Sequence, residues 1–543
     1  MSRTRLGVVT DGAFNATLSV RLDPDVNTES LRIGDFVVIE GQEYLYFSML
    51  ADLQLRVTDA NLIADPPWNR DSLVARALAG TGTYAVAQVK PMLMLPRPRD
   101  TFVDPTQRVL PVRTIPGHFA ILREATDEDF RTVFGEDTNT DHFFSIGTPL
   151  TSDIPVAIDL RRFMERSNGI FGQSGTGKSF LARLLLCGVI HREVGVNLIF
   201  DMHDEYAFGK ESEEGIWVKG LKELFPTRVQ VWSLDPTKRE ADRHVQIGLD
   251  QIEPGDVLLL SEELNLTGTA EATIGLLVDE YGDQWLRALL EMDNEAIGEF
   301  CDRRGAHPGA VGALRRALLR IRRRPYIVEE ADARAIDELV ALLDRGIHVI
   351  LHFPTDTTSL DHMLVANIIT RRVRAVYQTR VERYQETRQS AHKPRPLMIT
   401  IEEAHKFLNP QAARQTIFGT IAREMRKYYV TLMVIDQRPS SIDREVLSQL
   451  GTRVTGKLTE EADIDAVLTG VGNRSAVRGA LESLETKKQV IIMGHAVPMP
   501  LLLRTREYDD AFYRAMQAPL GQAEAAPLDP GRAYEDLFGD LDE

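Results

Sequence analysis

Two cysteines in 543 residues, Cys187 and Cys301, are too few and too far apart for a disulfide framework or a cysteine-based metal site. Both are expected as reduced thiols of a cytoplasmic protein. Long apolar runs are missing too. None approaches the ~20 residues that span a bilayer, and the opening MSRTRLGVVTDG has no apolar leader core. No membrane partner is expected. Positive charge is the third shortage: 63 Lys and Arg face 80 Asp and Glu, a formal net of −17. Ten acids and two arginines between residues 507 and 543 give −8 of it, so 508–543 reads as an acidic, flexible tail. Fields are screened within ~10 Å, so this balance neither demands nor excludes a nucleic-acid partner. The rest, 43% apolar and 26% charged, is ordinary globular composition, with length for roughly three domains.

What is present begins with NGIFGQSGTGKSFLARLLL. Gly172, Gln173, Ser174, Gly175, Thr176, Gly177, Lys178 and Ser179 fit G-x-x-x-x-G-K-[ST], with Phe180 following. A short apolar run precedes them, and apolar residues at helical spacing follow, which is the strand–turn–helix setting of a phosphate-binding loop. Glycines let the backbone turn its N–H groups inward, and the helix adds its positive end. Lys178 would reach the outer phosphates, and the Ser179 hydroxyl would join a magnesium shell. ATP and Mg2+ are the expected cofactors, since no [NT]KxD guanine-reading motif occurs.

PLMITIEEAHKFL places Glu402 and Glu403 after a buried-type strand, where open α/β sheets hold ligands. One acid would serve the metal and the other, Glu403, would orient and polarise the attacking water. TLMVIDQRPSSID is a second such strand, ending at Gln437, whose amide could sense the γ-phosphate. An acidic strand and a polar sensor strand at one edge are the pattern of RecA-like, additional-strand ATPases. Between them, IAREMRKYYV crowds Arg423, Arg426 and Lys427 at a helix end. In a head-to-tail ring that end could face a neighbour's ATP; the same residues also suit a helix C-terminus, where the dipole favours cations.

Alternating strands and helices over 101–505 predict an α/β fold with a mostly parallel sheet. Short β runs over 1–100 predict a small barrel, and PRPRDTFVDP a linker. Helical periodicity over about 206–340 predicts an inserted helical subdomain. The arginine-rich run from Arg315 to Arg324 reads as a solvated face paired to acids rather than a DNA-binding helix. Near the end of the chain, Tyr534, Leu537, Phe538 and Leu541 space like a docking segment or belong to a solubilising tail.

Taken together, the chain resembles the HerA subset of the FtsK–HerA hexameric DNA translocases. The resemblance rests on the small barrel, FSIGTPL, IPVAIDLRRFMERSNGIFGQSGTGKS, FDMHDEY, IEEAHKFL, IAREMRKYYVTLMVIDQRP and GHAVPMPLLLR, in that order. It implies a homohexameric ring that moves double-stranded DNA through a central pore, with a NurA-like nuclease on the barrel face, in end resection and repair. It implies Arg426 as an arginine acting in trans, with Arg423 a lesser candidate, although Met425 stands where the family usually has glycine. Arg166, Asp201 and Glu205 would assist nucleotide handling. Glu402 stands where Asp is common, which favours a water-mediated metal contact. The late β segment, 488–507, is implied to return to the barrel. The same motifs would equally serve a ring that scaffolds and gates a separate effector, a nuclease or sirtuin-like NADase, in antiviral defence.

Overall fold

The computed structural model describes residues 4–58, 78, 82–97, 109–137, 142–150, 152–211, 215, 217–331, 334–471, 474–485 and 487–518. Most of the PRPRDTFVDP linker and the 534–541 segment lie outside the described residues.

The first unit is an antiparallel barrel. Leu18–Leu22 shows the alternating burial expected of a half-buried strand. Its pairing with both Arg5–Gly12 and Thr83–Pro96 closes the sheet on itself. The barrel extends past residue 100, because Ile121–Glu124 fills the gap between Arg5–Gly12 and Phe36–Glu40. The buried Arg123 guanidinium bridges Glu40 and Asp129 at 2.8 and 2.6 Å. That ties the barrel to the helix Asp127–Phe134, which opens with a Thr126/Asp129 capping box.

The second unit is a twelve-stranded sheet. Its parallel part runs, in spatial order, Arg243–His244, Val229–Ser233, His348–His352, Val196–Asp201, Leu397–Glu402, Val430–Asp436, Asn168–Phe171 and Thr452–Thr455. The central strands are buried along their whole length and mostly apolar, as helices on both faces require. The sensor strand Val430–Asp436 sits between the P-loop strand Asn168–Phe171 and the acidic strand Leu397–Glu402. Register sets Phe171 opposite Asp436 and Glu402 opposite Ile435. Three candidate site segments therefore leave the sheet at one end of its strands.

Three further expectations are corrected. The 206–340 insertion is not purely helical: Val229–Ser233 is a strand of the main sheet, and beyond the short helix Leu221–Leu224 the helices run from Pro254 to Arg322 and over Arg334–Asp344. Five residues were too short a run to stand out among flanking loops. The late segment does not join the barrel's sheet, although it lines a cavity with barrel residues Met49, Lys90 and Met92. Gln489–Gly494 and Leu501–Thr505 form a hairpin that extends the ATPase sheet antiparallel to Thr452–Thr455 and then pairs with Phe143–Pro149. Pro498 and Pro500 fall in its turn, where no ladder donor is needed. Finally, the tail is not structureless from 508. Asp510–Gln517 is a helix that buries Phe512, Tyr513 and Met516, with Asp509 as its N-cap.

Candidate nucleotide-binding site

The P-loop takes its shape from glycine. Gly175 and Gly177 have φ of 78° and 85°, left-handed values that turn successive N–H groups toward one side. At Gly172 a Cβ would lie 2.5 Å from Thr176 Oγ1. Thr176 is buried beneath the loop and donates to the Gln173 carbonyl at 2.8 Å, and Gln173 in turn bonds the Thr459 hydroxyl. These three residues build the loop from behind. Ser174, Gly175, Gly177, Lys178, Ser179 and Phe180 line a cavity of about 490 Å³ in front of it.

The opposite wall comes from the neighbouring strand ends: His203, Glu205, Glu402, Glu403, Lys406, Asp436 and Gln437. Burial pulls the Lys178 pKa down while Glu403, Asp436, Glu205 and Glu402 oppose it and favour the ammonium. Burial, then the charges of Glu205 and Asp201, push Glu402 up to about 8. Its Oε1 accepts from Tyr206 Oη at 2.7 Å, but its Oε2 is buried without a partner among the described residues, as is Glu205 Oε2. Two orphaned carboxylate oxygens beside a P-loop hydroxyl fit a hard cation. Among the described residues, no group of three or more His, Cys, Asp or Glu could hold a metal unaided. Magnesium held by Ser179 and Glu402 would therefore share its shell with phosphate and water. It would supply charge neutralisation there.

Asp201 plays a different part from the one expected of it. Fully buried, it accepts from the N–H groups of Glu205, Tyr206 and Ala207 at 2.6, 3.0 and 2.9 Å. It shapes the turn that delivers Glu205 and Tyr206 and does not line the cavity. Glu403 has φ of 45°, and Gln437 Nε2 donates to its Oε1 at 3.4 Å. Sequence reading missed Tyr206, His203, His405, Lys406 and Asp436. FDMHDEY and IEEAHKFL contain four of them and TLMVIDQRP the fifth, yet only cross-strand neighbours reveal their roles.

Arg166, Arg423 and Arg426 lie elsewhere. They line a second cavity of about 790 Å³ with barrel residues Met49, Lys90 and Met92. Arg166 and Arg426 precede the P-loop and sensor strands, whereas the nucleotide cavity follows them. Seven residues of extended strand separate Arg426 from Gln437, roughly 20 Å. That is beyond the reach of an arginine side chain. Arg423 Nη2 donates to the Ala413 carbonyl at 3.1 Å, while the Arg166 stem packs on Gly451. Arg426 is exposed, and its guanidinium has no partner among the described residues.

Residues 144–373 match the family model for the helicase HerA central domain. The chain is 24% identical over 446 residues to the DNA double-strand break repair helicase HerA of Pyrococcus furiosus, spanning 75% of this chain and 76% of that one. It is 23% identical over 480 residues to the helicase of the same name from Saccharolobus solfataricus, with 87% of each covered. A similar solved structure is the bacterial conjugative coupling protein TrwB, at 13% identity and a TM-score of 0.44 over 74% of this chain and 94% of that one. With a P-loop, an acidic strand and an intervening sensor strand around one cavity, the chain is a P-loop ATPase whose central domain is similar to that of the HerA helicases.

Proposed function

We propose that the chain is an ATP-driven DNA translocase that works as a homohexameric ring and moves double-stranded DNA through its pore. The observation that carries this is the placement of Arg426, exposed at the strand ends opposite its own nucleotide cavity and without a partner among the described residues. Such an arginine is placed to serve another subunit's nucleotide, and a site shared head to tail generates a ring. The relatives named DNA double-strand break repair helicases support DNA as the track; the partner in this reading is a NurA-like nuclease on the barrel face, acting in end resection.

In this reading Lys178 and the P-loop N–H groups hold the β- and γ-phosphates, and Ser179 and Glu402 hold magnesium. Glu403 orients the attacking water, Gln437 reports on the γ-phosphate, and Arg426 of the adjoining subunit neutralises developing charge. The test is ATP hydrolysis with and without linear duplex DNA, alongside mass by light scattering. DNA-stimulated turnover by an assembly of several chains is expected. A protein that stays monomeric with ATP and duplex DNA refutes the proposal.

A further inference from the structure

Two residues at the nucleotide site have no part in that reading, Asp436 and His405. Asp436 closes the sensor strand one residue before Gln437, and its side chain is fully buried. Its Oδ2 accepts from the His405 backbone N–H at 2.7 Å and from His405 Nδ1 at 2.9 Å. Its Oδ1 accepts from the Arg438 backbone N–H at 2.8 Å. One carboxylate thus holds both the turn after the acidic strand and the turn after the sensor strand.

The two residues nearest the chemistry sit inside those turns. Glu403 lies two positions before His405 in a left-handed conformation, which a glutamate keeps only where its surroundings impose it. Gln437 is flanked by Asp436 and Arg438 and donates to Glu403. The charged groups facing His405 are Asp436, Glu403, whose Oε2 is 3.8 Å from Nδ1, and Lys406. The hydrogen bond to Asp436 holds the His405 pKa above its ordinary value, which keeps Nδ1 a donor to that carboxylate. His405 is the one ion-pair partner of Asp436 among the described residues.

We infer that Asp436 and His405 are a positioning pair for ATP hydrolysis. Their contact fixes the left-handed turn that aims Glu403, and the Arg438 bond sets Gln437 against it. The inference rests on the ATPase assignment of the cavity, and basal hydrolysis without DNA tests it apart from translocation.

His405→Ala keeps the backbone bond to Asp436 and loses the imidazole one. Its kcat should fall about ten- to a hundredfold, as small misplacements of catalytic groups do, while KM for ATP stays within about twofold. His405→Asn, whose amide nitrogen overlays Nδ1, should recover most of the loss. In single-turnover measurements on Glu403→Gln protein, adding His405→Ala should cost nothing further, because the residue being aimed is already disabled. Should the alanine variant not fold, Asp436→Asn should give the same kcat loss at unchanged KM. Wild-type kcat in the folded alanine variant would overturn the inference. So would an equal loss in the Glu403→Gln background, or an asparagine variant as slow as alanine. A wild-type chain that hydrolyses no ATP would instead sink the ATPase assignment.

Discussion

At Lys178, burial works against the charge and four carboxylates across the cavity work for it. The phosphates depend on that charge, so Lys178→Ala should reduce ATP hydrolysis to background in a malachite-green assay. Glu403→Gln removes the group that polarises water and leaves the P-loop intact. It should bind ATP normally in a fluorescence titration, while turnover drops by about 10²–10⁴. Glu402 carries a pH signature. Its pKa rises from 4.5 to about 8 in the folded chain, so the folded state binds this proton more tightly than the unfolded one. The contribution is full below about 4.5 and is lost as pH rises through about 8. Nucleotide-free protein in EDTA should therefore lose stability between pH 5 and 8 in thermal scans, on the order of what one buried carboxyl supplies. Glu402→Gln should flatten that slope; an unchanged slope would contradict it. At this scale the sequence was most legible where a residue acts through its neighbours in the chain. The glycines, Lys178 and Ser179 announce themselves in eight consecutive positions. Asp436 and His405 are 31 residues apart and meet only because two strands lie side by side, so no local spacing could link them.

Elements carry the next set of effects. The helix Ile417–Glu424 leads into the Arg426 turn, and Phe418 anchors it between Phe407 and Phe200, ring centroids 5.0 and 6.1 Å apart. Phe418→Ala should cost about 3–5 kcal/mol in denaturant unfolding. Behind the P-loop helix, Tyr508 packs edge-on to Phe180 at 5.6 Å and donates to the Lys219 carbonyl. Tyr508→Phe keeps the ring and abandons that carbonyl, for a loss of about 1 kcal/mol. The strands flanking the site were readable because full burial makes them continuous apolar runs ended by polar residues. The late hairpin was read as β, but strand character does not say which sheet it will join. That choice came from edge pairing with Thr452–Thr455 and Phe143–Pro149. The arginine-rich helix shows patterning resolved by contacts: Arg322 pairs with Glu329, Arg324 with Asp361, and Arg320 and Arg315 bond the carbonyls of Glu263 and Leu290.

For the whole molecule, the separation of Arg426 from its own cavity sets a complementation test. Arg426→Ala should still bind ATP and hydrolyse it about 10³-fold or more slowly. Mixed at equal amounts with Lys178→Ala chains and allowed to exchange at random, about a quarter of head-to-tail boundaries regain one intact P-loop and one intact guanidinium. The mixture should then exceed either parent severalfold in ATPase rate. No gain over the parents would place the arginine outside the partner's site.

The hairpin Gln489–Thr505 also has a consequence for how the chain is made. The strand Phe143–Pro149 takes its second neighbour from Leu501–Thr505, about 350 residues later, which at about 5–20 residues per second emerges from the ribosome after tens of seconds. Until then Phe143–Pro149 has only Val156–Asp159 beside it and presents a bare ladder to solvent, an invitation to pair with other nascent chains. Synthesis of this protein thus contains a waiting period of tens of seconds in which the ladder near residue 145 is uncovered.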